Sequence, residues 1–524
     1  MTTTADLARA VGIALELVRA RRDVSEAEAF ASANASLLAR LNYTSHIPSN
    51  GVEEPKSTES FGLGLRVALV TPAGVATGFG SEPSDLTADG AARALERACR
   101  AAIVDPEFVS LPEAGAEPRA LAGYHDPAVM AVDDAALVGA GWTVVGGALR
   151  TFLASSRLAE LARDEEGFRR LGLIVGGDVS LLREQIAVGS TRLPRVETDE
   201  TTVVSAALTA MVEAGGAKGS GSAVGTRVEH VTEDVGADAA RAAIDALGGE
   251  RVPTGDYTIV FGPQPVADLL DNIVLPACSA SAFYTGRTPF AGRLGRRVAS
   301  PALTLYDHGA LAGLTGSKGV TCEGLPTGRT DLIRDGVLVG CLANWYEAQR
   351  LLRHPRLAER LGATGATAAA ALQPRNGFRF GAGGGRRFDA EPGVAATNVL
   401  VEGRDPLSRD ALLRRVGDGL YVGRIWYTYA INGLRAGDFT CTVVADSYII
   451  RDGRIAAPLR SNAIRINDNV ATFLNNVVGV TKDVKGTIVW AADQVVYAPE
   501  IAVSGVHVDA IAAEHGPPDH RSPR

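Results

Sequence analysis

The hydrophobic positions near the N-terminus recur with the spacing of an α-helix, and those that follow alternate as in β-strands. One predicted helix face carries Leu7, Val11, Leu15 and Val18. The stretch 28–41 alternates loosely, and 61–79 contains two β-rich runs joined by a Thr-Pro-Ala-Gly turn that suits a hairpin. A second amphipathic helix is predicted within 84–103. Residues 1–110 are therefore expected to form a small α/β domain.

A mixed middle domain is predicted for residues 111–250. Its first ten residues have the composition of a linker, with two prolines and little periodicity. The expected elements are a helix within 144–165, strands at 171–188 and 201–213, and an alanine-rich helix at 236–247. The glycine-rich segments 215–225 and 381–385 are predicted to be flexible loops, because neither has the spacing of a dinucleotide-binding turn between a strand and a helix.

Short strands and tight turns predominate beyond Pro253, so a largely antiparallel β domain is predicted for 251–510. Asp335-Gly336 and Asp452-Gly453 each separate two β-prone runs and have the residues that a type I′ hairpin turn requires. The predicted fold class of the whole chain is α+β. The polar, proline-rich end, 511–524, is predicted to be a disordered tail.

The composition is that of a soluble folded protein. Of the 524 residues, 46% are hydrophobic and 21% are charged, and the formal net charge is -8. Lysines and arginines are scattered rather than grouped, which argues against a direct nucleic-acid partner. The N-terminus lacks the pattern of a secretion signal, and no apolar run reaches the length of a membrane span. A cytoplasmic location without membrane contact is therefore predicted.

Common catalytic and metal-binding motifs are missing from the sequence. It has no G-x-S-x-G, G-x-x-x-x-G-K-[ST] or H-E-x-x-H motif. The five cysteines form no C-x-x-C pair, and the eight histidines never recur at ligand spacing. One local cluster, Asp307-His308 followed by Cys322-Glu323, is consistent with a catalytic role and equally with turn and loop residues.

Several segments, in the same order along the chain, resemble the TldD/PmbA family of peptidase-complex proteins. Residues 57–67 (STESFGLGLRV) are similar to the family's S-x-S-x-G-x-G-x-R-V strand, and 252–261 are similar to the strand that opens its C-terminal domain. Residues 324–327 resemble the family's EG-x-P-T turn, and 437–440 resemble its T-G-D-F-S segment. The resemblance covers most of residues 6–508.

The resemblance implies that this chain lacks the family's zinc site. The catalytic subunit type, TldD, carries H-E-x-x-x-H on the first helix of the C-terminal domain and a late cysteine. Here the matching positions on a helix beginning at Pro265 are Asp271, Asn272 and Pro276, and residues 487–490 contain no cysteine. Neutral imidazoles are what such a motif offers to Zn²⁺. The chain is therefore identified as resembling the metal-free TldE (PmbA) type, with no cofactor of its own and with zinc in a TldD-like partner.

A non-catalytic subunit that pairs with a TldD-like metallopeptidase is the function that this resemblance implies. Such a subunit would help to wall a groove for unfolded or leader peptides, with Gly437, Asp438 and Phe439 as candidate groove residues. A turn that enters a strand is the alternative interpretation of these three residues. The run 419–430 concentrates Tyr421, Trp426, Tyr427 and Tyr429, which predicts a subunit interface or, alternatively, core packing.

Two other functions remain open from the sequence. One is a scaffold protein that binds a peptide in a biosynthetic pathway. The other is a hydrolase with a rearranged, metal-free site that uses His308, Cys322 or Glu323.

Overall fold

The computed structural model describes residues 2–47, 49–113, 121, 124–381 and 383–512. The predicted tail from residue 513 onward and most of the predicted linker, 114–120, lie outside this range. The α-helices are α1 (Thr4–Arg19), α2 (Ala88–Arg100), α3 (Asp134–Leu153), α4 (Ser156–Ala162), α5 (Glu165–Arg170), α6 (Asp234–Asp245), α7 (Pro263–Leu269), α8 (Leu275–Ala277), α9 (Ala280–Thr285), α10 (Trp345–Leu352), α11 (Leu357–Leu361), α12 (Gly365–Ala371), α13 (Arg409–Val416) and α14 (Val470–Asn475). A π-helical turn, Leu270–Val274, joins α7 to α8.

The strands of the N-terminal half are β1 (Val24–Thr44), β2 (Lys56–Thr71), β3 (Gly74–Pro83), β4 (Ile103–Val104), β5 (Leu173–Ser190), β6 (Glu197–Val212) and β7 (Ala217–Gly225). Those of the C-terminal half are β8 (Gly255–Phe261), β9 (Leu303–His308), β10 (Arg329–Arg334), β11 (Val337–Leu338), β12 (Gly377–Phe378), β13 (Gly393–Val394), β14 (Asn398–Gly403), β15 (Gly419–Val422), β16 (Arg424–Ala430), β17 (Asp438–Ala445), β18 (Tyr448–Arg451), β19 (Arg454–Pro458), β20 (Ile464–Asn469), β21 (Val477–Thr487) and β22 (Val495–Ala510).

Residues from the predicted first and middle domains form one seven-stranded antiparallel sheet in the order β4-β3-β2-β1-β5-β6-β7. The long strand β1 pairs with β5 from Glu28 opposite Ser190 to Thr44 opposite Ile174. Helices α1 and α2 bury their apolar faces on one half of the sheet, and α3 and α6 cover the other half. The predicted domain boundary at residue 110 therefore lies between strands of one and the same sheet.

The N-terminal elements follow the predicted periodicities. Helix α1 buries the four predicted apolar residues, and Thr3 and Asp6 form a capping box that satisfies its first backbone N–H groups. Strands β2 and β3 form the predicted hairpin. The predicted helix 144–165 is instead divided among α3, α4 and the first residue of α5.

The prediction that 215–225 is a flexible loop is wrong, because residues 217–225 form the edge strand β7. Its glycines allow α6 to lie directly against the strand. A Cβ atom at Gly221 would lie 1.9 Å from the carbonyl oxygen of Val235, and one at Gly219 would lie 2.3 Å from that of Ala239. Such close approach excludes side chains, so the strand has a composition that is otherwise typical of a loop.

The C-terminal half forms a thirteen-stranded sheet whose main path is β11-β10-β9-β14-β22-β8-β15-β18-β19. Its pairings are antiparallel except for β14 with β22 and β15 with β8. Asp335, Gly336, Asp452 and Gly453 all have positive φ angles, of 47°, 79°, 51° and 70°. The two Asp-Gly hairpins and the α+β fold class are thus confirmed.

The two sheets meet through an apolar contact and two buried ion clusters. Phe30, Ile186 and Val188 of the first sheet pack against Val320, Cys322, Phe378 and Phe388. In one ion cluster, Glu28 accepts hydrogen bonds from Arg66 and Arg379. In the other, Arg386 donates to Glu184 at 2.6 Å and to Asp199 at 2.8 Å, and the Lys318 ammonium lies 3.3 Å from Glu184. These contacts connect the two halves of the chain.

Helix α3 is the one helix of the described residues that is long and apolar enough to cross a membrane. Its buried residues, including Leu137, Val144, Val145 and Phe152, belong to the core between α6 and the seven-stranded sheet. One face of α3 therefore packs on the protein core.

Candidate functional site

Two adjoining cavities, of about 540 Å³ and about 300 Å³, lie between the seven-stranded sheet and the C-terminal half. They share lining residues on both sides, namely Ala207 and Ser222 from the sheet and Thr487, Ile488, Val489 and Trp490 from the C-terminal half. We call these two cavities together the interdomain groove.

Small polar side chains on β5, β6 and β7 form the floor of the interdomain groove. Ser180 and Ser205 lie opposite each other on β5 and β6, and their hydroxyls are 2.8 Å apart. Ser220 and Ser222 extend the same face onto β7. These serine side chains offer hydroxyl groups to a ligand, both as donors and as acceptors.

Aromatic residues of the C-terminal half form the opposite wall. Trp426 at β16 and Trp490 after β21 have ring centroids 6.5 Å apart. The Trp490 side chain lines both cavities, and 80% of its surface is exposed. An indole that remains this exposed offers a large apolar face to a ligand.

The helix α7 and the π-helical turn after it reach the same wall. Gln264 and Asp268 line the larger cavity, and Gln264 bonds to both the N–H and the C=O of Ile425, which holds α7 against β16. In the π-helical turn the N–H of Leu275 donates to the carbonyl of Leu270. Such a turn brings residues five apart toward the same side, which is the spacing of Asp271 and Pro276.

The Asp271 carboxylate faces Gln494 of the late segment, whose amide donates a hydrogen bond to it. Burial, reinforced by the charge of Asp268, raises the pKa of Asp271 to about 6. Asp268 is itself buried, which raises its pKa, and its oxygens accept hydrogen bonds from Gln264 and Asn272. The structure thus brings the 271–276 region together with the late segment, two regions that are more than 200 residues apart in sequence.

Zinc does not fit this donor set. At the positions that the resemblance matches to H-E-x-x-x-H, the chain has Asp271, Asn272 and Pro276, and segment 487–490 has no thiol. Within the described part of the chain, no three His, Cys, Asp or Glu side chains are grouped so that they could hold a metal ion.

Two domain models of one peptidase family match this chain. The family's "PmbA/TldA metallopeptidase C-terminal domain" matches residues 254–510, and its "domain 1" matches residues 49–102. The chain belongs to the PmbA/TldD metallopeptidase family. Its match to the C-terminal domain includes α7, the π-helical turn, β16 and the late segment, so the aromatic wall of the interdomain groove lies within the part that this family shares.

Individual relatives agree with this assignment. A metalloprotease of Methanothermobacter thermautotrophicus is 26% identical over 251 residues, which are 48% of this chain and 48% of the relative, so the chain spans about half the length of that curated relative. A TldD homologue of Buchnera aphidicola is 23% identical over 60% of this chain and 63% of its own length. The crystal structure of TldE from Thermococcus kodakarensis superimposes with a TM-score of 0.74, covering 95% of this chain and all of that chain at 18% identity. This last similarity shows the fold.

Gly437, Asp438 and Phe439, the predicted peptide-groove residues, do not line the two cavities of the interdomain groove. Asp438 accepts hydrogen bonds from Asn432 and Asn469, at 2.9 Å and 2.8 Å. Phe439 is buried in the C-terminal core, and Gly437 has a φ of 78° at the turn before β17. Their proposed contact with substrate stays a prediction.

His308, Cys322 and Glu323 do not have the properties expected of residues that cooperate in catalysis. Burial raises the pKa of the Cys322 thiol to about 12, so the nucleophilic thiolate is scarce at neutral pH. Glu323, whose pKa burial raises to about 7, accepts a hydrogen bond from the N–H of Trp345 and lies in the ion cluster of Arg66. His308 accepts a hydrogen bond from the N–H of Ala310 through Nδ1.

The predicted aromatic run is split between core and surface. Tyr421 is buried and its hydroxyl donates to Glu500, whereas Trp426 is half-buried at the groove. Tyr427, Tyr429 and Ile431 are 70%, 56% and 47% exposed. We call these three exposed residues the aromatic surface.

Sequence reasoning missed Arg424, a charged residue that lines the larger cavity at the start of β16. Within the described residues, its side chain has no hydrogen bond and no ion pair; its guanidinium lies 6.0 Å from the centre of the Trp426 ring. Nothing local marks this arginine, because its environment is made by β7, α7 and β17. In the sequence, only Gly423, which separates β15 from β16, could have indicated that the next residue has an unusual environment.

Proposed function

We propose that this chain is a TldE-type, non-catalytic subunit that works in the cytoplasm with a zinc-bearing, TldD-like metallopeptidase. Its interdomain groove binds an extended peptide, either an unfolded peptide or the leader of a precursor, while the partner carries out hydrolysis. One observation carries this proposal. The residues at the positions matched to the zinc motif are Asp271, Asn272 and Pro276, in the helical segment that follows β8.

The lining of the interdomain groove supports binding of a peptide. Its floor presents the hydroxyls of Ser180, Ser205 and Ser222, which can donate to and accept from a peptide backbone. Its wall presents Trp426 and Trp490, which can bury apolar side chains without demanding one sequence. A ligand held mainly through its backbone and through apolar contacts is bound with little sequence selectivity.

The aromatic surface supports association with a partner subunit. Tyr427 and Tyr429 are exposed on the strand β16, and the exposed Ile431 follows its end; the start of the same strand forms part of the groove wall. Tyrosine is enriched among the residues that dominate binding energy at protein interfaces. A TldD-like subunit bound here would lie next to the interdomain groove, so a peptide in the groove could extend toward the partner's zinc.

The test is to purify the full chain alone and together with the TldD-like protein of the same organism. Zinc content and cleavage of an unstructured peptide are then measured for each sample. We expect cleavage only when both chains are present, inhibition by a chelator, and zinc in the partner alone.

Each other outcome identifies a different function. Chelator-resistant cleavage by this chain alone would identify a metal-free hydrolase. Peptide binding that protects the peptide, without association with the TldD-like protein, would identify a scaffold protein.

A further inference from the structure

The backbone just before Arg424 packs closely against the segment that follows β17. A Cβ atom at the preceding residue, Gly423, would lie 2.2 Å from the carbonyl oxygen of Asp446. The N–H of Gly423 donates to the Ser447 hydroxyl, and the next residue but one, Ile425, is held by Gln264. The guanidinium is therefore carried on a segment that is fixed on both sides.

The carboxylates nearest to Arg424 are both engaged by other groups. Asp446 accepts hydrogen bonds from the N–H of Ser220, at 2.9 Å, and from the Ser220 hydroxyl, one to each of its oxygens. Asp268 accepts from Gln264 at 3.0 Å and from Asn272 at 3.2 Å, again one to each oxygen. They attract Arg424 at a distance but do not form an ion pair with it.

The net charge of the larger cavity's lining favours neither anionic nor cationic ligands. What matters is which of its charged side chains are already paired with each other. The lining includes the cations Arg241, Arg409, Arg424 and Lys485 and the anions Asp238, Asp245, Asp268 and Asp446. Arg241 is paired with Asp238, and Arg409 lies 3.4 Å from Glu500. Among the described residues, neither Arg424 nor Lys485 forms an ion pair. Burial lowers the pKa of Arg424 because its charged form has lost part of its hydration.

A planar guanidinium with five N–H donors matches a carboxylate, which can accept two parallel hydrogen bonds from it. We propose that Arg424 binds a carboxylate of the peptide that occupies the interdomain groove. The carboxylate is either the C-terminal group of the peptide or an Asp or Glu side chain, and Lys485 on the same wall contributes a second positive charge. This inference rests on the proposed function, since the ligand is a peptide in the groove.

Fluorescence anisotropy can test the proposal. It measures how tightly the full chain binds three dye-labelled octapeptides made of Ala, Ser and Leu. One peptide ends in a free carboxylate, one in an amide, and one in an amide with a single internal Glu. We expect at least one of the two carboxylate-bearing peptides to bind about 10-fold or more tightly than the uncharged amide, as for a charge-assisted hydrogen-bond pair. The peptide that gains affinity identifies the source of the carboxylate.

Substitution at Arg424 shows whether this residue is the origin of the difference. Arg424→Gln should bring the three affinities within about 2-fold of one another, and Arg424→Lys should keep only part of the difference because lysine lacks the planar fork. Arg404→Gln, an exposed arginine of the same half that lines neither cavity, should leave the difference unchanged. A thermal melt of each variant establishes that it is folded.

The outcomes separate this inference from the proposed function. Equal affinity of the wild-type chain for all three peptides would overturn the role of Arg424 and leave peptide binding intact. A difference that persists in both folded Arg424 variants would do the same. Failure of every peptide to bind would overturn the role of Arg424 and the peptide groove together.

Discussion

Gln494 donates a hydrogen bond from its side-chain amide to the carboxylate of Asp271, and so joins the late segment of the chain to the π-helical turn that contains two of the positions that the resemblance matches to the zinc motif. An amide and a carboxylate here form a closed polar contact. In a zinc site the corresponding groups would be ligands directed at one ion.

The stability of the protein should depend on the ionisation of Asp271. Its folded-state pKa of about 6 lies above the unfolded value of about 3.9, so the native state loses stability as the pH rises between these values. Asp271→Asn should therefore raise the free energy of unfolding by about 1–3 kcal/mol at pH 8 and change it little at pH 4. Urea denaturation at both pH values measures this, with the exposed Asp405→Asn as control. An equal effect of Asp271→Asn at both pH values would contradict the prediction.

The purified chain should contain far less than one equivalent of zinc. The helix positions Asp271, Asn272 and Pro276 offer no imidazole, and Gln494 engages the remaining carboxylate. Elemental analysis of the full chain, with the TldD-like protein purified in the same way as the positive control, measures the ratio. About one zinc per chain would show that other residues form a site.

Removal of Asp271 or His308 should leave peptide cleavage by the reconstituted complex within a few-fold of the wild type. Neither side chain has a catalytic role in the proposed function. Initial rates of Asp271→Ala and His308→Ala complexes provide the measurement, with the TldD-like subunit lacking its motif histidines as the inactive reference. A loss of about 10³-fold, as when a general base is removed, would point to catalysis by this chain.

Disruption of the Arg386 ion cluster should destabilise the contact between the two sheets. Burial alone would raise the pKa of Glu184, but Arg386 and Lys318 lower it to about 2, so this carboxylate stays charged. Arg386→Met leaves it with only part of its compensation and should cost about 3–5 kcal/mol in chemical denaturation. The adjacent Arg387, whose ion pair with Asp389 is exposed, is the matched control, and Arg387→Met should cost less than about 1 kcal/mol. Similar effects of the two substitutions would refute the role of burial.

Association with the TldD-like subunit should depend on the aromatic surface. Tyr427 has a φ of 58°, a conformation that asparagine tolerates, so Tyr427→Asn removes the ring without backbone strain. Together with Tyr429→Ser it should weaken association about 10-fold or more in sedimentation experiments. The control Ile103→Ser removes an equally exposed apolar residue from the seven-stranded sheet. Unchanged association of the double variant would place the interface elsewhere.

Elements that depend on neighbouring residues could be predicted from the sequence. The apolar face of α1, the hairpin of β2 and β3, and the Asp-Gly turns at 335–336 and 452–453 arise from side-chain period and from the backbone angles that each residue allows. The resemblance also indicated the fold class, and the family's C-terminal domain matches residues 254–510 of this chain.

Contacts between distant segments could not be predicted in this way. The glycines of β7 favour a loop when only the local sequence is considered. They are required by the close approach of α6, which the local sequence does not reveal. The aromatic residues of 419–430 divide between core and surface according to the pairing of β15 and β16 with different strands.

The sequence by itself determined the local elements, the family resemblance and the residue types at the positions matched to the zinc motif, since each depends on the identity of residues at known positions. Only the tertiary structure decided where the interdomain groove lies, that Gln494 meets Asp271, and that Arg424 has no anionic partner among the residues that the structure describes. These features depend on how the two sheets pack together. That packing buries apolar side chains, which stabilises it, and pairs buried charges of residues that are far apart in the chain.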